Sequence, residues 1–461
     1  MSTLPASLQR EMADLLGSGW LADPSERLAY TYDNSRLEAL PDAVALPTSR
    51  EQVLALVRAC RTHRVPVIAR GRGTNTTGAA VPIHGGVVVS FERMDRILDI
   101  RPGDRCAVVE PGVLNGDLQA ALHPHGLFWP PDPTSAAFST VGGNLACNAG
   151  GPRAVKYGAS RDNVLALTAV TGAGELIHCG TATTKGATGY DLHRLLVGSE
   201  GTLALIVEAS LRLTPAPSSR RALRAIYRDV SSAAQAVARL MAQPVTPSML
   251  EFMDAAAVRL VRDVGGVDLP ADAGSLLMIE ADGDDDILPH AIEALMRAAE
   301  GEGLVALDDA ADDAARERLW AARKALSPAL RTLAPGKINE DVVVPVSRIP
   351  HLIEGVQALS REFALPIVCF GHAGNGNLHV NLLYDPADTA EVERAHAARA
   401  RVFALALSLG GTLSGEHGIG LAKRDFMPQA LSPATLALMR QLKSVFDPDG
   451  ILNPGKLLPP A

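Results

Sequence analysis

The chain has 461 residues, 47% hydrophobic and 20% charged, with a formal net charge of -8 at pH 7. That length calls for two or three domains, each with material for its own core. The acidic balance excludes nucleic acid as a main partner, which would need a basic footprint, and no apolar run reaches the roughly 18 residues of a membrane-spanning helix.

The first residues, MSTLPASLQREMADLLGSGW, show no basic leader followed by an apolar segment, so no secretory signal is expected. At 47–52, PTSREQ opens a helix: Ser49 and Gln52 match the capping box, and Val53, Leu56, Val57 and Cys60 follow at helical spacing. An apolar strand at 65–69 runs into the loop GRGTNTTG at 71–78, with further strands at 86–91 and 106–110. The loop is not a dinucleotide fingerprint, because its glycines fall at Gly71, Gly73 and Gly78 and the following AAVPIHGG cannot continue as a helix. No Gly-Lys-Ser/Thr ends it, which excludes a Walker A loop. It reads as a plain turn or as a nest of backbone N–H groups for an anion. Two more glycine stretches follow, STVGGNLACNAGG at 139–151 and GSEGTLALI at 198–206. Glycine permits close backbone approach to a ligand, so three such stretches could line a long cofactor.

TPAPSS at 214–219 reads as a linker, and beyond it helical patterns at 231–242, 286–300 and 311–333 alternate with apolar strands at 275–280 and 367–370. The last helix has Ser432 as N-cap and Pro433 at its first position, with Leu436, Met439, Leu442 and Phe446 recurring along it. A turn-rich tail closes the chain. The five cysteines (Cys60, Cys106, Cys147, Cys179 and Cys369) have no paired spacing, which fits a reducing compartment and argues against a disulfide framework or a cysteine zinc site.

The second half holds the chemistry-bearing residues. GHAGNGNLH at 371–379 places His372 and His379 on either side of the hairpin signal Asn375-Gly376. If those two residues form a two-residue turn, His372 lies directly opposite His379, with Asn381 on the same face. Two such histidines read as metal ligands or as ordinary polar residues of a hairpin. GTLSGEHGIG at 411–420 sets Glu416 and His417 among glycines. As neighbours in an extended segment they would face opposite ways, Glu416 completing a His–His–Glu set and His417 reaching a substrate. Arg323, in WAARKALS, offers a bidentate fork for a carboxylate and Lys337 a point charge, although on this helix alone a solvated face is the favoured reading.

The ordered set PTSREQV, ARGRGTNTTGAAVP, PPDPTS, TVGGNLACNAGG and LVGSEGTLALIVE resembles the flavin-binding domain of the vanillyl-alcohol-oxidase, or FAD-linked oxidase, family. WAARKALSP, KINEDVVVP, CFGHAGNGNLHVNLLY, GTLSGEHGIGLAK and FDPDGILNPGKLLP are similar to its D-2-hydroxyacid dehydrogenase branch, which includes D-lactate and D-2-hydroxyglutarate dehydrogenases and the flavoprotein subunit of glycolate oxidase. The resemblance implies an α+β fold: a two-part FAD-binding domain at 1–215, a substrate- and metal-binding α+β cap domain with an antiparallel sheet at 216–425, and a segment at 426–461 returning to the first domain. It implies FAD contacts from Arg70, Gly71, Gly73, Thr74, Asn75 and Thr76 around the pyrophosphate. Pro131, Asp132, Thr134, Gly142, Gly143, Asn144, Gly150, Gly201, Ile206 and Asn453 would line the remainder. Some relatives tether the flavin through a histidine in the first loop; with Thr74, Asn75 and Thr76 there, non-covalent FAD is expected. The resemblance further makes His372, His379 and Glu416 zinc ligands, His417 the catalytic base, and Arg323, Lys337 and Asn381 substrate contacts. Alignment through Pro345 would put Asn339 in the place of Lys337.

The implied reaction takes two electrons and two protons from a 2-hydroxy acid. Zinc has no redox role, so the electrons pass to FAD, as hydride or after carbanion formation. The partners expected are the 2-hydroxy acid and an electron acceptor (quinone, cytochrome or electron-transfer flavoprotein). The location expected is the cytoplasm, with peripheral membrane contact and a homodimer both left open. The competing readings are a metal-dependent hydrolase without flavin and a non-catalytic flavoprotein subunit of a larger dehydrogenase complex.

Overall fold

Runs such as Val87–Ser90, buried at every position, have no polar face to offer water and form interior strands. The computed structural model of the chain describes residues 4–263, 269–310 and 313–460. They divide into two units, one made of 1–151, 158–216 and 416–461, the other of 152–157 and 217–415. In the first unit, a four-stranded sheet runs in the order Trp20–Leu21, Ala43–Ala45, Val87–Ser90, Val67–Arg70. The last three strands of this order are parallel, with helix Arg50–His63 supplying the crossover. A five-stranded antiparallel sheet follows, in the order Ile97–Arg101, Cys106–Val109, Ala204–Arg212, Val164–Thr171, Leu176–Gly180. Ser49 caps the crossover helix by accepting from Gln52 N, as its pattern predicts, but the Gln52 side chain reaches back to Thr48 N instead of Ser49 N.

The second unit is built on a seven-stranded antiparallel sheet, ordered Leu304–Ala310, Ser219–Tyr227, Ser275–Gly283, Met249–Met253, Ile367–His372, Asn377–Tyr384, Gly336–Val343. Strand side chains alternate with period two, so the register decides which residues share a face. Glu251 pairs with His372, Phe370 with His379, Val368 and Asn339 with Asn381, and Lys337 with Leu383. One face thus carries Glu251, His372, His379, Asn381, Asn339 and Lys337 at its polar end. Helices Ala255–Asp263 and Asp313–Ala329 cover its apolar part, where Met253, Met278, Val368, Phe370, Val258 and Leu326 pack together. On the other face Tyr227 is fully buried and donates to Ala299 O at the end of helix Leu288–Ala299.

The units divide at 216 and 415, where the resemblance implied boundaries at 215 and 425. Residues 416–425 fall with the first unit because they bond to its glycine stretches: Leu421 N and Ala422 N donate to Thr77 O, and Ile419 N and Gly420 N to Glu200. Residues 152–157 join the second unit, where Lys156 and Tyr157 both bond to Asp282.

The hairpin departs from expectation. Asn375 and Gly376 do not form a two-residue turn; Ala373–Asn375 is a 3-10 turn and Gly376, at φ 72°, caps it. His372 therefore pairs with Asn377, and His379 with Phe370. The slip is by two residues, so every side chain keeps its face. Its cause is the neighbouring backbone: Val344 N donates to Gly376 O, and a Cβ on Gly376 would stand 1.9 Å from Val344 O. Gly376→Ala should cost on the order of 3 kcal/mol through its positive φ and this overlap, read as a drop in the melting temperature. An unchanged melting curve would contradict the close approach.

Candidate functional site

The first glycine loop is an array of donors. Among the described residues, the backbone N–H groups of Arg72, Gly73, Thr74, Asn75 and Thr76 meet no acceptor, as does the buried Oγ of Thr76. Orphan donors of this kind need a partner, and a row of them suits an anionic group. The Arg70 guanidinium, by contrast, is engaged inside the protein: it donates to Tyr32 O at 2.7 Å and to Ala29 O, and Gly73 lacks a Cβ where one would lie 2.4 Å from Arg70 Nη2. In this arrangement Arg70 braces the loop. The Asn75 side chain is engaged as well, Oδ1 accepting from Thr77 N and Ala79 N and Nδ2 donating to His417 O. A cofactor contact from Asn75 therefore falls to its backbone.

The second glycine stretch is a short helix, Val141–Cys147, and not an open loop. Thr140 caps it by accepting from Gly143 N at 3.1 Å, and Gly142 N donates to Pro111 O. The N–H groups of Gly142 and Gly143 are thus in use, and what these glycines provide is closeness: a Cβ on Gly142 would meet Pro111 Cβ at 2.5 Å, and one on Gly71 would meet Thr140 Oγ1 at 2.4 Å. Among the described residues, Ser139 Oγ and Asn144 Nδ2 are buried without a hydrogen-bond partner. Pro131 O accepts from Asn115, Asp132 N donates to Gly150 O, and a Cβ on Gly151 would stand 2.5 Å from Asp132 O, so 131–132 and 150–151 pack as one wall. Thr134 and Gly201 are on exposed-to-buried turns of the same unit, Gly201 at φ 69°. Ile206 is a core residue of strand Ala204–Arg212, beside an irregularity in its pairing. Asn453 is buried and bonds Ala79 O, Glu200 O and Lys456, so it holds the glycine stretches together. The unsatisfied donors and the tight glycine packing fit an extended phosphate-bearing cofactor.

In the second unit, His372 and His379 lie diagonally across the hairpin with ring centroids 5.2 Å apart at 85°, and both are buried. Sequence reasoning missed their neighbour. Glu251 is completely buried, one carboxylate oxygen on His372 Nδ1 and the other accepting from Arg323 Nε at 2.7 Å. Burial alone would raise its carboxyl, but the charges of His372 and Arg323 outweigh it and hold Glu251 at about 2. Bonding through Nδ1 turns His372 Nε2 away from Glu251, the arrangement a metal-ligating histidine takes with a carboxylate behind it. The signal for Glu251 was a lone charged residue within the apolar strand MLEFM.

Glu251 also aims Arg323, whose guanidinium lies 4.6 Å from the Phe370 ring centre; among the described residues only its Nε is taken in a hydrogen bond, leaving the terminal nitrogens for a ligand. Asn381 donates both Nδ2 hydrogens to backbone, on Val368 O and His379 O. Only its Oδ1 is left, an acceptor that suits a hydroxyl and not a carboxylate. Asn339 Oδ1, on the paired strand, is likewise buried without a partner among the described residues. Lys337 stands on this face too, so both alignments of that strand deliver a polar group.

Residues 416 and 417 form a bend and not an extended strand. Glu416 follows Gly415, whose N–H donates to Asp341, the residue paired with His379. One Glu416 oxygen accepts from Gly151 N at 2.7 Å, and His417 O accepts from Asn75.

An antiparallel-sheet unit with paired buried histidines and a two-sheet unit of glycine-lined donors define a two-domain FAD-linked oxidoreductase. Residues 41–180 match the FAD binding domain model, and residues 216–457 that of the FAD linked oxidases' C-terminal domain; the chain belongs to the FAD linked oxidase family. It is 38% identical to the glycolate oxidase subunit GlcD of Bacillus subtilis, over 94% of this chain and 92% of the relative. It is 36% identical to a D-lactate dehydrogenase of Anaerostipes hadrus over 93% of this chain and 92% of that one. With a D-2-hydroxyglutarate dehydrogenase of Stutzerimonas stutzeri the identity is 35%, over 95% of each. The solved structure of p-cresol methylhydroxylase shares the fold at a TM-score of 0.82 and 17% identity, covering 98% of this chain and 96% of that one.

Proposed function

We propose that the protein oxidises a D-2-hydroxy acid, of the D-lactate, D-2-hydroxyglutarate or glycolate type, to the 2-oxo acid. The observation that carries this reading is the polar sheet face on which His372 and His379 converge beside Arg323. The named relatives support the same substrate class. FAD, held non-covalently by the N–H groups of 72–76 and by Thr76, Ser139 and Asn144, would supply the two-electron acceptor. A zinc ion held by His372, His379 and Glu416 would supply the Lewis acidity that lowers the pKa of a bound hydroxyl.

This chain's own residues do the rest. Arg323, fixed through Nε by Glu251, presents its terminal nitrogens to the substrate carboxylate, with Lys337 adding positive charge on the same face. That pairing orients C2. Asn381 Oδ1 would accept from the substrate hydroxyl. His417 takes the hydroxyl proton as C2 loses its hydrogen. A second, non-catalytic reading as a subunit of a larger complex leaves the histidine pair and the aimed Arg323 without a purpose.

The five cysteines are all free, four of them buried, which supports a cytoplasmic, reducing setting. Among the described residues no helix is long and apolar enough to cross a membrane. We assign the reoxidation of FAD to a quinone, a cytochrome or an electron-transfer flavoprotein. The test is anaerobic bleaching of the bound flavin by D- and L-lactate, D- and L-2-hydroxyglutarate and glycolate, with and without chelator. Bleaching by the D-acids or glycolate that chelator abolishes is expected. A flavin that no 2-hydroxy acid reduces would sink the reading.

A further inference from the structure

Glu200 is a buried charge to which the chemistry above gives no task. It lies in the third glycine stretch, 5% exposed and at φ 53°. Burying a carboxylate is costly, and an apolar side chain would fill the space more cheaply. Burial pushes Glu200 up to about 7, against the pull of its two backbone donors and of Lys423 and Lys456. What a carboxylate alone provides here is two acceptors on one short side chain. Oε1 accepts from Ile419 N at 2.6 Å and Oε2 from Gly420 N at 2.8 Å, on the turn that follows His417. Gly418, between them and His417, is at φ 85°, and a Cβ there would stand 2.5 Å from Glu200 Oε1. On the other side, Asn75 Nδ2 donates to His417 O at 3.0 Å. Asn453 and Lys456 anchor Glu200 in turn, Asn453 donating to Glu200 O and accepting from Lys456 Nζ. The backbone on both sides of His417 is thereby clamped, while the imidazole itself contributes nothing to either bond.

We propose that Glu200 is a positioning residue for His417, holding the 418–420 turn so that the imidazole is presented in one orientation. This rests on the reading of His417 as the base. The side chain has to be a glutamate because the turn offers two adjacent N–H groups; a glutamine of the same shape would set its NH2 against one of them.

The test uses the FAD-loaded full-length protein. In Glu200→Gln, hydrogen–deuterium exchange of the amides of Ile419 and Gly420 should accelerate by about tenfold or more, with the remainder of the unit unchanged. The rate of flavin reduction by the most reactive acid of the panel should fall by about 10- to 100-fold with KM within about twofold, the signature of a misplaced catalytic group. Placed in the His417→Ala background, Glu200→Gln should have no further effect on that rate, because residues acting as a unit are not additive. Equal losses in both backgrounds, or unchanged exchange at 419–420, would overturn the proposal. Loss of FAD or of soluble protein in Glu200→Gln would assign Glu200 to the fold alone, unless Gly418→Ala, which presses on the same carboxylate oxygen, gives the predicted kinetic split. If His417→Ala itself retains turnover, it is the base assignment that fails, and the exchange result still decides whether Glu200 is a clamp.

Discussion

His417→Ala should retain FAD with an unchanged visible spectrum and reduce flavin with its 2-hydroxy acid about 10²- to 10⁴-fold more slowly. The expectation of intact binding comes from which atoms His417 contributes to the fold. Its carbonyl accepts from Asn75, and the turn beyond it is held by Glu200. Alanine keeps that carbonyl and leaves Ile419 N and Gly420 N where they are, so the loop keeps its course. What disappears is the ring nitrogen to which we assign the proton, and solvent would become the acceptor. Added imidazole should restore part of the rate, since a small base can enter the space left by the ring. Stopped-flow flavin reduction measures both effects, and near-wild-type turnover in the variant would remove His417 from the role.

The paired histidines were legible because their sequence spacing and the two-residue period of a strand put them on one face. The register was not legible. A two-residue Asn-Gly turn is the default for that dipeptide, and the contact that overrides it comes from Val344, about thirty residues earlier in the chain. The error did no harm to the face assignment only because the slip was even. Glu251 was invisible to motif reasoning for a similar reason: its partners, His372 and Arg323, are distant in sequence and meet only when two strands and a helix are assembled. In the flavin unit the glycines marked three stretches in the sequence, but not how each one works. Gly142 and Gly143 permit packing, and the donors of the first loop remain open. Arg70, Asn75 and Asn453, polar residues that look like ligand contacts in a linear reading, are engaged in tying the backbone together.

His372→Ala should lose bound zinc, from about one ion per chain to below about a tenth after dialysis, because it leaves two protein ligands where a catalytic zinc needs three. FAD content should not change, since the donors that fit it are the N–H groups of 72–76 and the side chains of Thr76, Ser139 and Asn144, which belong to the other unit of the chain. The informative companion is Glu251→Gln. Its amide keeps the size of the side chain and can still accept from His372 Nδ1, but it gives up the charge that orients both His372 and Arg323. A carboxylate behind a metal-bound histidine is worth about 10- to 100-fold in metal affinity, so Glu251→Gln should still bind zinc at saturating metal and release it to weaker chelators. It should also weaken substrate binding, because Arg323 loses its fixed Nε contact, and in that respect the two variants differ. Metal analysis of the purified proteins alongside KM for the 2-hydroxy acid separates a residue that holds the ion from one that holds the holders. Stoichiometric zinc persisting in His372→Ala would refute its place in the ligand set. A Glu251→Gln protein with wild-type metal affinity and wild-type KM would show that the buried carboxylate only balances charge.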